Sequence, residues 1–463
     1  MNRWTIHVRQ FGKIEKADVE VAPLTLFVGD NNSGKSYMMT LIYGLLNVRF
    51  FFDGYVFREQ SQVFEECCKI MNQIISMGNG VVYKLAGQEL GYFQKLINEI
   101  LEDNKDRFLL SLFNRKMIVG EMRISFPKDM ELNFSATTTI DGSNLKERIL
   151  IKGKVDDEMS LAGYWINKDD LINNKDGYKF IVSYVMECML QWEMENSTLR
   201  KRIYFPTART GFLLTYKTLT GNAVQEKFTL EETRKNLLTK PNSDFLKELG
   251  NIDTTMPNVE FEDITQFIEN DLIAGEVGVM DRLSQDLVYI PRGLKQQLPL
   301  YVTSGVVTEM TPLLLFLKYV DLGALLIEEP EISLHPQLQI QVARVLIQLA
   351  NKKLPVFVTT HSDLIVQHIN NMIKANEMKE RNEFLCKSKY QELDLLSRKD
   401  ICVYQFDVDE SQKSNVERLP CGEYGFEVMT FYNTLQKMNL EIQQIEKRHE
   451  YVSGEGTEED EDL

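Results

Sequence analysis

The octapeptide GDNNSGKS at residues 29–36 constrains this chain more than any other feature. It fits G-x-x-x-x-G-K-[ST], a pattern with a structural condition: a strand must deliver the loop and a helix must open straight after it. Both signals are present, LTLFV before the loop and SYMMTLIYGLL after it. In that setting the backbone N–H groups of Gly29, Asp30, Asn31, Asn32, Ser33 and Gly34 wrap a phosphate, Lys35 neutralises its charge, and Ser36 offers a hydroxyl to Mg2+. Tyr37, next in the helix, completes the expected nucleotide-contacting set.

A second feature lies far downstream. In ALLIEEPE, residues 324–331, an apolar run ends at two carboxylates. A central parallel strand would deliver them to the carboxyl edge of a sheet, where such folds bind ligands. There Glu328 is expected to hold Mg2+ through water, and Glu329 to orient or deprotonate an attacking water. One strand later, FVTTHSD carries His361 at the end of its apolar strand, placed to reach a γ-phosphate; a histidine ending an apolar strand also has a plain reading as a core residue. Ahead of the carboxylates, Thr303, Ser304 and Gly305 precede an amphipathic helix. Small residues there either cap the helix or leave its N–H groups and positive dipole end free for an anion. If that anion is the γ-phosphate of nucleotide held by another copy, ATP joins two subunits.

Strand and helix patterns alternate around these motifs, which predicts an α/β fold with a mostly parallel core sheet. An antiparallel pair opens the chain over Trp4–Val28, and the strands RIYFP, LVYIP, LPLYV and ICVYQF recur later. Residues 50–114 read as helical, with Phe93, Leu96, Ile97, Ile100 and Leu101 on one face. Period-two segments over 117–155 predict a small antiparallel sheet. The expected organisation is a discontinuous head from 1–46 and 286–425, and a helical plus antiparallel β insertion at 47–214 that rejoins the core near 202–211. A helical arm or lid follows at 215–285, then a C-terminal helix at 426–450 and a disordered acidic tail at 451–463. In that last helix Val428, Phe431, Leu435, Met438, Ile442 and Ile445 keep 3-4 spacing, a seam for the chain's own head or for a partner.

Charge narrows the partners. The 52 basic and 68 acidic residues leave a net −16, which disfavours non-specific attraction to nucleic-acid phosphates or anionic membranes. A local basic groove for DNA stays open. No apolar run is long enough to span a bilayer, and the N-terminus lacks a secretory pattern, so a cytoplasmic protein is expected. Six cysteines without paired spacing read as reduced thiols.

The ordered set GDNNSGKS, TSGVVTEMTPLL, LLIEEPEISLHP and TTHS resembles the OLD/RecF/SMC-like ABC-type ATPases. It is most similar to the stand-alone OLD-type AAA ATPases of prokaryotic anti-phage systems of the Septu and PARIS kind. The segment IYFPTARTGF, with Pro206 and Arg209, resembles a stretch of the same group, and the intervening lobes match nothing in it. The resemblance implies an ABC-type P-loop head that hydrolyses ATP with Mg2+, with Lys35, Glu329 and His361 in catalysis and Ser304 and Gly305 as a signature acting in trans. It further implies a homodimer or higher even-numbered oligomer that controls a separate effector, a nuclease. The alternative is a DNA-repair or DNA-clamping ATPase. The signature here lacks the second glycine and the glutamine of transporter-type ATPases, and roughly 290 residues separate the loop from Glu328, which sets a transporter subunit aside. Gln60 and Gln62 are candidates for the Q-loop glutamine, and Arg209 for a neighbouring role. Asp407 and Asp409 form a D-x-D that a nuclease of the TOPRIM kind would use, although ICVYQF is needed to finish the core sheet.

Overall fold

The computed structural model describes residues 3–50, 53–58, 60–140, 147–156, 159–160, 164–167, 175–190, 200–216, 238–279, 286–429, 436 and 438–445. A nine-stranded sheet forms its centre. Five strands run parallel in the spatial order β10 (Lys201–Phe205), β14 (Leu322–Glu328), β15 (Val356–Thr359), β3 (Leu24–Gly29) and β16 (Ile401–Val408). All six residues of β3 and all four of β15 are buried, which is why these strands read as unbroken apolar runs. Successive side chains point to opposite faces. Phe27, Leu326 and Phe357 enter one core, whereas Leu26, Val28, Leu325 and Ile327 enter the other.

Beyond β16 the sheet turns mixed, through β17 (Ser414–Arg418) to β2 (Ile14–Glu20), β1 (Thr5–Phe11) and β5 (Glu121–Ser125). Here one face meets solvent, and burial alternates along β1. The segment containing β5 was expected in the small antiparallel sheet and instead extends the main one. Met122 and Ile124 continue the buried face of Val8 and Ile6, to which they are paired. The small sheet is built by β4 (Val82–Ala86), β6 (Glu131–Ile140) and β7 (Glu147–Asp156), with β8 (Met159–Ser160) and β9 (Tyr164–Asn167) on β7. Its first strand, β4, lies in a stretch that reads as helical. Gly78, Gly80 and Gly87, all at positive φ, cut it out of the helical run, and pairing with β6 makes it a strand.

One face of the central sheet carries α1 (Lys35–Asn47), α2 (Gln62–Ser76), α3 (Gly87–Phe113) and α4 (Lys175–Leu190). The other face carries α5 (Lys240–Gly250), α6 (Glu262–Phe267), α7 (Gly305–Tyr319), α8 (Pro336–Asn351) and α9 (Asp363–Glu377), with α10 (Arg381–Lys387) after them. The stretch 215–285 is not all helical. β11 (Gly275–Val279) pairs with β12 (Leu287–Pro291), which pairs with β13 (Leu298–Pro299), and residues after Pro299 turn into a short 3-10 helix. In β11 two glycines disfavour helix and two valines favour extended backbone. Phe245 of α5 packs on Phe205 of β10 and Phe316 of α7, with ring centroids 5.6 and 5.9 Å away, so this helix lies against the head.

A buried cluster pins α8 to the turn before β16. Arg344 reaches Asp394 through Nε at 3.1 Å and Nη2 at 2.8 Å, Gln348 donates to the same carboxylate, and the guanidinium stacks between Phe267 and Tyr390. Removing Asp394 would strand a buried cation. Asp394→Ala is expected to lower stability by about 3–5 kcal/mol, read from chemical denaturation, whereas an Arg344→Met/Asp394→Leu pair should lose much less.

At the far end Val428 is buried, but Met438, Ile442 and Ile445, in the helical residues 438–445, are 55, 49 and 54% exposed. Among the described residues of the seam, these three are exposed and Val428 is not. Phe431 and Leu435 of that seam, like the tail at 451–463, lie outside the described residues. None of the described helices is long and apolar enough to cross a membrane. The six cysteines are free, three of them buried.

Candidate nucleotide site

The loop after β3 is shaped by residues that accept left-handed backbone. Gly29, Asn32 and Gly34 have φ of 124, 60 and 100°. A Cβ at Gly29 would stand 2.4 Å from the carbonyl oxygen of Phe406, and one at Gly34 would meet Ile14 at 2.9 Å, so both sites need glycine. Gly34 caps α1 without any side-chain acceptor, and the first turn of that helix carries no acidic residue. Its N–H groups and positive dipole end are thus unopposed by protein, a cradle suited to phosphate. Ser33 and Lys35 are buried inside the loop, while Asp30, Asn31, Asn32, Ser36 and Tyr37 line its exposed lip. The Tyr37 ring is fixed edge-on against Phe113.

Lys35 braces this cradle. Its ammonium donates to the carbonyls of Gly29 at 3.0 Å and Asp30 at 2.5 Å and to Ser33 Oγ at 3.3 Å. Burial pulls it down to about 8, against the pull of Glu329, Asp30 and Glu331.

The carboxylates of β14 sit at the same sheet edge, because β14, β15 and β3 are parallel neighbours. Glu328 is buried and accepts from Tyr204 Oη at 2.8 Å and from Thr207 through its N–H at 3.2 Å and Oγ1 at 3.1 Å. Glu329 is half-buried and has φ of 42°, unfavourable for a residue with a Cβ and more so before Pro330. Its N–H donates to the Thr359 carbonyl at 2.9 Å. Burial raises its carboxyl and the neighbouring Glu328 adds to this, with Lys35 and Arg209 opposing. His361 Nε2 lies 3.9 Å from Glu329 Oε1, and burial, then Lys35, push the imidazole below its ordinary value, so it is neutral near pH 7.

Two residues here were not assigned by the sequence patterns. Glu331 accepts from Thr360 Oγ1 at 2.9 Å and from the His361 N–H at 2.6 Å, fixing the turn that presents His361; its second oxygen is buried without a protein partner. The third carboxylate of EEPE was its signal. Arg209, 2% exposed, lies behind the β14 edge; its Nε is 2.7 Å from Glu309 of α7. The Q-loop candidates Gln60 and Gln62 are exposed at the start of α2, which packs on α3, α4 and β6. Glu309, Glu328, Glu329 and Glu331 outnumber Lys35 and Arg209, a negative excess that fits a divalent cation accompanying a polyphosphate.

Ser304 and Gly305 begin α7, both exposed. A Cβ at Gly305 would touch Ser333 at 3.3 Å, so this helix start lies beside the loop that follows the β14 carboxylates. Ser304 stands at the N-cap, yet its side chain makes no capping bond and the first turn has no acid. By contrast Ser61 and Ser362 cap α2 and α9 by accepting from the N–H groups of Phe64 and Ile365. The D-x-D aspartates are tied locally, Asp407 to Gln405 and Asp409 to Ser411 and the Lys413 N–H, and β16 completes the parallel core.

A parallel sheet that brings a glycine-rich phosphate cradle and paired carboxylates to one edge defines a P-loop nucleotide-binding protein. The chain belongs to the AAA ATPase domain family, which residues 3–202 and 212–366 match. It is thus an AAA-type ATPase. No curated protein matches it. Similar solved structures include an SMC head bound to the C-terminal winged-helix domain of ScpA, 10% identical over 90% of this chain and 96% of that one, with a TM-score of 0.34. The SMC head domain from Thermotoga maritima is 11% identical over 91% and 100%, with a TM-score of 0.33. An SMC head domain with an extended coiled coil from Pyrococcus furiosus, bound to the C-terminal domain of ScpA, is 9% identical over 95% and 98%, with a TM-score of 0.32.

Proposed function

We propose that this protein is an ABC-type ATPase whose nucleotide is shared between two copies. Gly29–Ser36 and Tyr37 of one copy hold ATP, and Ser304 and Gly305 of its neighbour cap the γ-phosphate. The observation that carries this reading is the start of α7, where an exposed serine at the N-cap leaves the helix N–H groups free beside the carboxylate edge. Lys35 would bind phosphate oxygens, and Ser36 and Glu328 would hold Mg2+. Mg2+ supplies charge neutralisation for phosphoryl transfer. Glu329, whose carboxyl burial raises, takes the proton of the attacking water, and the imidazole of His361 orients that water or the phosphate.

In this reading ATP shifts the heads towards a closed pair by binding it better than the separate copies, and hydrolysis reopens them. The closed and open states control a separate effector, a nuclease, in anti-phage defence, a reading that the motif resemblance supports. The exposed Met438, Ile442 and Ile445 offer such an effector an apolar helix face.

Ser304→Arg tests the sharing directly. A bulky cation at the start of α7 is expected to leave single-copy nucleotide binding within about threefold of wild type while abolishing ATP-driven pairing in light scattering. Pairing at wild-type ATP concentrations in this variant would remove Ser304 from the interface.

A further inference from the structure

Arg209 ties together two parts of the head that the proposed function separates. Its Nε lies 2.7 Å from Glu309 Oε2, its Nη1 donates to the Glu328 carbonyl at 2.7 Å, and its Nη2 donates to the Glu329 carbonyl at 3.1 Å. Glu309 is 4% exposed and accepts from Thr210 Oγ1 at 2.5 Å. It stands five residues after Ser304, a little over one turn into α7. One guanidinium thus joins, by an ion pair at one end and two hydrogen bonds at the other, the helix that would meet the neighbour's nucleotide to the backbone of the residue that would activate water in the chain's own site.

The join has the properties of a rigid link. A guanidinium offers its donors in fixed directions, which a flexible ammonium does not. Burial would make an unpaired Arg209 costly, and burial indeed pulls it down from its ordinary value while Glu309, Glu331, Glu328 and Glu329 oppose the fall. The far end of the link is also a sensitive one. Glu329 has its φ of 42° immediately before a proline, and such a conformation persists only while its surroundings hold it. Arg209 and the Ile332 N–H on its carbonyl, and Thr359 on its N–H, hold it. Small displacements of α7 therefore bear on where the Glu329 carboxylate points.

We propose that Arg209, with Glu309, is a positioning pair that couples the two nucleotide sites: engagement of one copy's α7 with its neighbour's triphosphate sets Glu329 of the first copy for hydrolysis. This rests on the shared-nucleotide reading and adds a regulatory route to it. Each site would then fire in response to occupancy of the other, giving ATP hydrolysis a cooperativity that pairing alone does not require.

The experiment compares Glu309→Gln and Arg209→Lys with wild type in the full-length chain, using ATP and Mg2+. Glu309→Gln keeps the side chain's shape and its acceptor for Thr210; Arg209→Lys keeps the charge and loses the fork. Both are expected to retain ATP-driven pairing and a half-saturating ATP concentration within about threefold of wild type. Their kcat should fall about tenfold or more, and the Hill coefficient should drop from near 2 to near 1. The thermal midpoint of Glu309→Gln is expected to fall, because Arg209 loses its buried counter-charge, so kcat is compared per folded molecule. Unchanged kcat and Hill coefficient in a paired Glu309→Gln variant would overturn the link and leave the shared nucleotide standing. A fall in thermal midpoint with unchanged kcat per folded molecule would overturn it too, since the pair would then be structural only. Absence of ATP-driven pairing in wild type would overturn the underlying reading and the link with it.

Discussion

Glu329→Gln is expected to lower kcat on the order of a thousandfold while leaving ATP binding intact. The size follows from the role: a positioned general base contributes about 10²–10⁴ to such a reaction, and glutamine keeps the shape and hydrogen-bonding reach of the side chain without its basicity. The carboxyl is half-buried next to Glu328, which raises it, and Lys35 and Arg209 limit that rise. Being a carboxyl raised above its ordinary value, it is protonated at acid pH, and wild-type kcat should climb through that raised value as pH increases towards neutrality. The Glu329→Gln residual rate should lack this limb. A wild-type rate in Glu329→Gln, measured by phosphate release, would assign the attacking water to another residue.

Lys35→Ala is expected to weaken ATP binding at least about 100-fold, a loss near 2.7 kcal/mol by titration calorimetry. Two effects add. The phosphates lose their buried cation, and the loop loses the three bonds by which the ammonium joins Gly29, Asp30 and Ser33. Lys35→Arg separates them, because it restores the charge without the three bonds of the compact ammonium; its affinity should recover only in part. Unaltered thermal stability of Lys35→Ala would show that the loss lies in the site and not in the fold.

The parts of this molecule that were legible in the sequence are those where local chemistry forces the pattern. GDNNSGKS names its own geometry, since Gly29 and Gly34 are required by close backbone approach and left-handed φ. The core strands β3, β14, β15 and β16 are buried on both faces and so appear as apolar runs bounded by polar turns. Short strands without that signature were missed. β4 and β11 owe their state to β6 and β12, partners that a local reading does not see. β5 was recognisable as a strand, but alternation alone does not say which sheet it joins. The same limit hid the polar scaffold of the site. Arg209 and Glu309 are 100 residues apart and meet only after β10 and α7 pack together. Glu331 stood in plain view in EEPE, but its bonds to Thr360 and His361 depend on β15 lying beside β14.

The uncapped start of α7 and the cradle before α1 matter to each other only if two copies meet over one nucleotide. Mass in solution tests this most directly, using the Glu329→Gln chain by light scattering with and without ATP and Mg2+. The account predicts single copies without nucleotide and a doubling of mass with ATP that ADP does not produce and that Lys35→Ala in the same background abolishes. An unchanged mass at saturating ATP, with binding confirmed by calorimetry, would contradict it.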